Sequence, residues 1–234
     1  MRAKDIIVKP IRASVARKLI RAGHYSGKVV NNSQIHFGAF IGARLGGALS
    51  FGPPLDRSKV LGLVSGSTWN SVIELNRMYL ADWLPRNSES RVISVCCRLF
   101  KKHRPEVEWV LSYADATQCG DGTIYRASGF KLTGLKRSKN LARLPDGSVV
   151  HKMTLESAVT RPRKELGGRS YFQVTGGKYD FRTYCKIAGA EVLEGYQYRY
   201  IRFLDPTQEG RLTVPVIPIQ SVPKEARMYL GVRG

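Results

Sequence analysis

The stretch from residue 71 to residue 115 constrains the fold most, because its hydrophobic periodicity changes twice. Apolar and polar side chains alternate in SVIELNRMYLAD, residues 71–82, which predicts a half-buried strand. Apolar side chains recur at helical spacing in ESRVISVCCRLFKKH, residues 89–103, and predict an amphipathic helix. A mostly apolar run follows in EWVLSYAD, residues 108–115, and predicts a buried parallel strand. This order of elements indicates an α/β fold.

Shorter patterns on both sides extend this unit. A helix is predicted for residues 11–22, ended by Gly23, and a hairpin for residues 34–54. A short helix is predicted in GTIYRASGF, residues 122–130. LARLPDGSVVHKMTL, residues 141–155, predicts a second hairpin that turns at the Pro-Asp-Gly sequence.

The chain changes character after residue 159. Residues 160–234 contain a Gly- and Arg-rich stretch, a helical pattern in residues 179–189 and a strand pattern in residues 196–206. A proline-punctuated tail follows. We therefore predict a main domain over residues 1–159 and a basic C-terminal extension over residues 160–234, which packs on that domain and does not fold independently.

The charge of the chain indicates a polyanionic partner. Lys and Arg number 38 against 18 Asp and Glu, which gives a formal net charge of +20 and a pI near 10.1. Nucleic acid is the first expectation for such a balance. A membrane surface is not expected, because no long apolar run and no basic amphipathic anchor occur in the sequence.

The N-terminus and the cysteines indicate the compartment. The basic N-terminus has no continuous apolar region of the kind found in export signals, so we expect the protein to act in the cytoplasm. The four cysteines, at positions 96, 97, 119 and 185, lack C-x-x-C spacing. This pattern suits reduced thiols, and we expect no disulfide framework and no metal site.

Four segments carry a resemblance to a known family. GHYSG, LNRMYLAD, NSESR and YADATQCGDGTIYRASGF resemble, in their order and spacing, the Mom proteins of Mu-like phages. These proteins fall within the GCN5-related N-acetyltransferase superfamily, and the resemblance covers about residues 10–155 firmly and the rest loosely. It implies an acetyltransferase-like mixed central sheet flanked by helices. It also implies a transferase that converts adenine in phage DNA to the N6-carbamoylmethyl form and so protects the DNA from host restriction.

The resemblance implies four catalytic residues, namely His24, Tyr25, Asp115 and Tyr125. We expect His24 to have a pKa near neutral and to take a proton from the attacking amine. Asp115 ends the buried strand, at the edge of the sheet where ligands bind. Tyr125 corresponds to a tyrosine that protonates the leaving group in this superfamily. The alternatives are structural: a hydrogen-bonded cap for His24 with Tyr25, a turn cap for Asp115 and core packing for Tyr125.

The donor is expected at the strand-to-helix junction and beside it. Arg77 and Tyr79 would share a strand face with Ile73 and Leu75 if the alternation continued unbroken. The set that we expect to bind the donor is Arg77, Tyr79, Ser88, Ser90 and Arg91. The two serines either cap the helix or hydrogen-bond a phosphate. The superfamily's pyrophosphate loop is glycine-rich, whereas PRNSESR, residues 85–91, has no glycine and contains Glu89.

The donor itself is open between acetyl-coenzyme A and another activated acyl group. A glycyl group joined through its carbonyl has the same atoms as a carbamoylmethyl group joined through its methylene. An activated glycine followed by rearrangement would therefore balance without a separate nitrogen donor. A charged tRNA would suit a basic protein whose coenzyme loop departs from the usual pattern.

Double-stranded DNA is expected to bind a basic run. The run comprises Lys131, Lys136, Arg137, Lys139 and Arg143, with no acidic residue before Asp146. We expect these side chains to neutralise phosphates, and the aromatic and basic residues of segment 161–182 to receive an unstacked base.

His36 and His151 are interpreted as core or surface histidines. Two other functions stay open: an ordinary N-acetyltransferase acting on a small amine or peptide, and a non-catalytic basic DNA-binding protein. The oligomeric state is open.

Overall fold

The computed structural model describes residues 1–116 and 120–227. Its centre is an eight-stranded mixed sheet with the strand order β1-β2-β3-β4-β5-β8-β6-β7. The strands are β1 Ile7–Pro10, β2 Ile35–Ile41, β3 Arg44–Gly52, β4 Val72–Leu80, β5 Trp109–Asp115, β6 Lys131–Arg143, β7 Val149–His151 and β8 Glu191–Phe203. The pair β4–β5 is parallel, and the other strand pairs recorded in the described residues are antiparallel. The predicted mixed α/β fold is confirmed.

Helices flank this sheet. They are α1 Ala13–Gly23, α2 Arg57–Leu61, α3 Ser88–His103, α4 Thr123–Ala127, α5 Lys152–Glu156, α6 Tyr171–Val174, α7 Phe181–Ile187 and α8 Lys224–Arg227. The long helices and both hairpins predicted from periodicity are confirmed within a few residues. The second hairpin prediction is wrong at its end, because residues 152–156 form a helix in which the N–H of Met153 donates to the side chain of the N-cap residue His151.

The main core lies between α3 and one face of the sheet. The apolar side of α3, with Val92, Ile93 and Cys96, packs on the strands together with Ile73 and Leu75. Three phenylalanines from β2, β3 and α3 meet edge to face at centroid distances of 4.9 to 6.0 Å. Each such ring contributes about 1.5–3 kcal/mol by burial. Free thiols at Cys96, Cys97 and Cys185 are buried, and Cys119 lies outside the described residues.

The opposite face of the sheet carries α1, with Ala16 and Ile20 packed against Ala48 of β3. Farther along the sheet, a second core joins α5, α6 and α7 to the ends of β6 and β7. Between these two regions, β8 is inserted between β5 and β6. Its Tyr198 and Tyr200 are fully buried in the main core. The segment after residue 159 therefore supplies an inner strand of the sheet.

A β-bulge in β4 decides which residues face α1. Ser50 of β3 pairs with Arg77, whereas the next residue, Phe51, pairs with Leu75, so Asn76 is an extra residue in β4. The extra residue reverses the alternation of side chains. The expectation that Arg77 and Tyr79 continue the face of Ile73 and Leu75 is therefore wrong. Met78 and Leu80 pack on the α3 side instead, and Tyr79 packs with α1.

The parallel strands β4 and β5 separate soon after they begin. Their pairing covers Val72–Glu74 of β4 and Trp109–Leu111 of β5. Beyond these residues, β4 continues to Leu80 and β5 continues to Asp115 without recorded pairing between them. A wedge therefore opens between the carboxyl halves of the two strands, where open α/β sheets bind their ligands.

Close packing at Gly23 gives a first prediction. A Cβ atom added at Gly23 would lie 2.1 Å from Cε2 of Tyr79, which packs on the end of α1. We expect Gly23→Ala to lower the free energy of unfolding by about 1–3 kcal/mol through overpacking. Gly62→Ala is the matched control, because its Cβ would meet no atom within 4 Å and its φ is −70°. Urea unfolding measures both, and equal stabilities for the two variants would contradict the predicted clash.

Candidate active site

Charged side chains from separate parts of the chain meet on the α1 side of the β4–β5 wedge. Arg77 of β4 is at the centre, because its charge acts on His24, Lys28 and His151. Its Nε donates to the carbonyl oxygen of Lys28 at 3.2 Å, and its Nη1 donates to the carbonyl oxygen of Asn76 at 2.7 Å. Arg77 thus fixes the loop after α1 against the bulged strand.

His24 is held in one tautomer by the turn after α1. It caps the helix, with its N–H donating to the carbonyl of Ile20 at 2.9 Å. The N–H of Ser26 donates to Nδ1 of His24 at 3.1 Å, and Ser26 Oγ lies 2.8 Å from the same nitrogen. Because Nδ1 accepts, the neutral imidazole carries its proton on Nε2. The ring of Tyr25 lies over His24 with the centroids 4.1 Å apart.

The pKa of His24 differs from the expectation. Burial, assisted by the positive charge of Arg77, lowers this pKa from 6.5 to about 4. The expected near-neutral pKa is therefore wrong, because the closed turn and the neighbouring guanidinium both disfavour the imidazolium. At neutral pH His24 presents an Nε2–H donor. That group suits the stabilisation of a developing negative charge on oxygen better than the removal of a proton.

Asp115 and His151 lie together at the far side of the wedge. Asp115 is the last residue of β5 and pairs in register with Gln197 of β8. His151 ends β7, where its Nδ1 accepts from the N–H of Met153 at 3.1 Å. Burial lowers the pKa of His151, and the charge of Asp115 opposes this effect. His151 is thus a site residue that sequence reasoning missed, whereas His36 is buried with Ser50 Oγ at 2.8 Å and is confirmed as a core histidine.

Glu74 is a second residue that sequence reasoning missed. It is the last residue of β4 that pairs with β5, and the bulge places it on the same face as Arg77. Burial raises the pKa of Glu74 to about 7, against the opposing effects of the Asn76 side chain and the charge of Arg77. Its charge reaches Tyr113 of β5. A carboxyl group that titrates near neutrality at the base of a cleft is suited to proton transfer.

Tyr125, predicted as catalytic, and Tyr79, predicted to bind the donor, lie in packed surroundings. Tyr125 belongs to the main core, with its ring centroid 5.6 Å from that of Phe130 and 5.2 Å from that of Tyr200. Tyr79 packs on the end of α1 beside the turn that carries His24. The structure therefore places Tyr25 and Arg77 beside His24, and Asp115 near His151. Tyr79 packs against the end of α1, and Tyr125 lies in the core.

The predicted donor loop uses its hydroxyl groups internally. Ser88 Oγ donates to the carbonyl of Pro85, and Ser90 Oγ donates to the carbonyl of Asn87 at 3.2 Å. The expectation that they cap α3 is wrong, because the N-cap is Asn87, in a left-handed conformation with φ 65° and without a side-chain cap bond. Glu89 adds a negative charge to the first turn. These residues do not fit a coenzyme A pyrophosphate cradle. Of the predicted donor residues, Ser88, Ser90 and Arg91 lie at the start of α3, and Arg91 is the one cation among these three.

The predicted DNA-binding run lies on β6, and acidic residues face it. Its ion pairs are Lys131–Glu209 at 3.6 Å, Arg137–Glu194 at 2.8 Å, Lys139–Glu194 at 2.5 Å and Arg143–Glu191 at 3.4 Å. Two of these acids are on the adjacent strand β8, which the linear sequence could not place there. Lys136 has no ion pair within the described ranges. Exposed pairs of this kind are weak, so phosphates can compete for these cations.

The described residues contain neither a candidate metal-binding cluster nor a candidate membrane-spanning helix. Residues 1–116 and 120–227 contain no group of three or more His, Cys, Asp or Glu side chains arranged to hold a metal ion. The same part of the chain has no helix that is both long and apolar enough to cross a membrane.

Comparison with known proteins gives a consistent family. The model of the Mom protein family matches residues 5–224. The methylcarbamoylase mom of Escherichia phage Mu is 36% identical over 223 residues, which cover 95% of this chain and 85% of that protein. Among solved structures, a GNAT family acetyltransferase from Elizabethkingia anophelis with acetyl-CoA bound aligns with a TM-score of 0.45 at 12% identity, over 85% of this chain and 98% of that chain. The structure of Arabidopsis thaliana NAA60 in complex with a bisubstrate analogue aligns with a TM-score of 0.45 at 12% identity, over 85% of this chain and 97% of that chain.

Proposed function

The chain belongs to the Mom protein family, and we infer that it is a phage DNA modification enzyme that converts adenine in DNA to the N6-carbamoylmethyl form. The observation that carries this inference is the 36% identity to a named methylcarbamoylase over nearly the whole chain. A non-catalytic DNA-binding protein would leave the buried carboxyl of Glu74 and the fixed tautomer of His24 without a role. An ordinary acetyltransferase would leave the charge of +20 without a partner.

We assign the proton-accepting role to Glu74, because a base works best with a pKa near the pH at which it operates. The N6 amine of adenine attacks the activated carbonyl carbon of the donor, and Glu74 takes the proton that the nitrogen releases. The bond between the carbonyl carbon and the donor's leaving oxygen then breaks, and Glu74 returns the proton to that oxygen as it departs. His24 donates its Nε2–H to the carbonyl oxygen as negative charge develops there. Arg77 orients the acceptor loop, and Asp115 with His151 positions the base on the far side of the wedge.

We propose that the donor is an activated glycyl group, such as the ester of a charged tRNA. A glycyl group on N6 and a carbamoylmethyl group on N6 are isomers, so an intramolecular rearrangement completes the product. In it, N6 moves from the carbonyl carbon to the methylene carbon and the amino nitrogen moves from the methylene carbon to the carbonyl carbon. Two C–N bonds break and two form, with no net change of oxidation state. The hydroxyl groups at the start of α3 are engaged with backbone carbonyls, which disfavours a pyrophosphate at that loop.

The N6 amine lies inside the duplex, so the target adenine has to leave the base stack to reach the wedge. The proposed function is tested on plasmid DNA from cells that express the chain. Restriction enzymes whose sites contain adenine should fail to cut this DNA. Enzymes whose sites contain only G·C pairs serve as the matched control and should cut normally. Full cutting by both groups would contradict the proposed function.

The run on β6 gives a prediction about DNA affinity. We expect Lys136→Gln to reduce the slope of log affinity against log salt by about one unit, because this lysine is free to neutralise a phosphate. Glu194→Gln should have the opposite effect, since it releases Arg137 and Lys139 from their shared carboxylate. Fluorescence anisotropy at several salt concentrations measures both slopes. If neither variant changes its slope, the run on β6 is only a solvated face.

A further inference from the structure

Four cations lie near one another beside the turn that follows α1. We propose that this cation cluster, Lys28, Arg77, Arg161 and Arg163, binds the phosphates on either side of the target adenine. The proposal rests on the proposed function and deepens it, because it assigns the contact that holds the extruded nucleotide. None of the predicted DNA-binding residues on β6 belongs to the cluster.

Backbone and side-chain contacts build the cluster from three parts of the chain. The carbonyl of Lys28 accepts from Arg77 Nε at 3.2 Å, and the Nζ of Lys28 donates to Thr154 of α5. Arg161 and Arg163 lie on the segment between α5 and α6, which bridges back on itself through Pro162 and Ser170. The N–H of Arg163 donates to the carbonyl of Arg169 at 3.1 Å. The hydrogen-bonded turn at residues 162–170 and the bulged strand β4 therefore hold these cations in place.

A carboxylate also orients Arg163. Glu165 accepts from Nε of Arg163 and from the hydroxyl of Tyr184, the latter at 2.7 Å. The contact at Nε fixes the direction of the guanidinium. A guanidinium oriented from behind in this way is suited to a bidentate contact with phosphate.

The positive charge of the cluster is only partly compensated. Glu165 pairs with Arg163, whereas Lys28, Arg77 and Arg161 form no ion pair with any residue in 1–116 or 120–227. The pKa of Lys28 is lowered by burial and by the charges of Arg163, Arg161 and Arg77. Like charges held this close repel one another, and a bound anion relieves that repulsion. The cations on β6, by contrast, mostly have carboxylate partners.

The position of the cluster points to DNA as the source of the anion. The cluster adjoins His24 and His151 at the wedge where the adenine is expected, and every nucleotide within a strand has one phosphate on each side. Arg163 is half-buried and Arg161 is exposed, so the cations extend from the wedge to the surface. The phosphate backbone of a DNA strand that enters the wedge would run along the same path, from the surface to the wedge.

A chemical double-mutant cycle tests the proposal. The probe is a short DNA strand with one central adenine, made with natural linkages or with uncharged methylphosphonates at the two linkages that flank this adenine. Anisotropy should show that the neutral linkages weaken binding to the wild-type protein by about tenfold or more. The variant Lys28→Gln with Arg161→Gln should bind the natural strand more weakly and should lose little further affinity with the neutral linkages. Lys102→Gln, an exposed cation on α3, is the matched control and should retain the full sensitivity.

The outcomes separate the cluster from the activity. If the double variant loses as much affinity as the wild type when the linkages are neutral, the flanking phosphates bind elsewhere and the proposal fails. It also fails if the double variant binds tRNA more weakly than the wild-type protein does but binds the DNA strand equally well. The cycle is measured without a donor, so it decides the role of the cluster even if the wild-type protein modifies no adenine. That last result would contradict the proposed function only.

Discussion

Replacing His24 with alanine is expected to lower the rate of adenine modification by about 10²–10³-fold, with the fold and the DNA affinity nearly unchanged. The reason is that Nδ1 of His24 accepts from the Ser26 N–H, so Nε2–H is the group that faces the reaction. Removing one donor of this type from a developing oxyanion costs a factor of this size. Single-turnover rates on a DNA substrate, with circular dichroism and anisotropy as controls, measure the effect.

A second substitution at the same position distinguishes a donor from a base. The side-chain amide of His24→Gln can present an N–H group near the position of Nε2, but it cannot take up a proton at neutral pH. We therefore expect His24→Gln to retain more activity than His24→Ala. If His24→Gln is no more active than His24→Ala, the donor role of His24 is refuted.

Glu74→Gln is expected to stabilise the protein at high pH while it removes most of the activity. Burial raises the pKa of Glu74 from 4.5 to about 7, so the folded state holds the proton more tightly than the unfolded state does. Below pH 4.5 both states are protonated, and the carboxyl group causes no loss of stability. As the pH rises through 4.5 towards 7, the unfolded state ionises first and the folded state loses stability, by up to about 3 kcal/mol above pH 7.

The variant lacks this titration, so its stability advantage over the wild type should be absent near pH 4 and largest near pH 8. The groups that face Glu74 are Asn76 and Arg77 on β4 and Tyr113 on β5, with Arg199 of β8 acting on Tyr113. Asp82→Asn, an exposed change of the same kind in the loop after β4, controls for the loss of one charge. Urea unfolding at several pH values measures the difference. A constant difference across this range would show that Glu74 titrates at its ordinary pKa.

Periodicity was sufficient to predict the elements around the site. The helical spacing of Val92, Ile93 and Cys96 predicted α3, and the apolar run that ends at Asp115 predicted β5, because both patterns depend only on neighbours in the sequence. The bulge at Asn76 was not predictable in the same way, since pairing with β3 determines it. It moved Arg77 to the face where the site lies.

The residues that were missed depend on contacts between distant segments. His151 reaches the site because β7 pairs with β6, and β6 pairs with β8 rather than with β5. Arg161 and Arg163 belong to the segment that was expected to receive an unstacked base, but their approach to Lys28 through α5 and the turn that follows it was not predicted. A charged residue within the apolar stretch VIEL was a signal for Glu74, because a carboxyl group inside a buried strand requires a reason.

The most direct test of the enzymatic account is a comparison of nucleosides. DNA from cells that express the wild-type chain is digested to nucleosides, and their masses are compared with those from cells that express Asp115→Asn, which keeps the size of the side chain and removes its charge. We predict a new deoxyadenosine species with the mass of the carbamoylmethyl derivative in the wild-type sample, and its loss or near loss in the variant at equal protein level. The same new species at the same yield in both samples would contradict the role of Asp115. Its absence from both samples would contradict adenine modification by this chain.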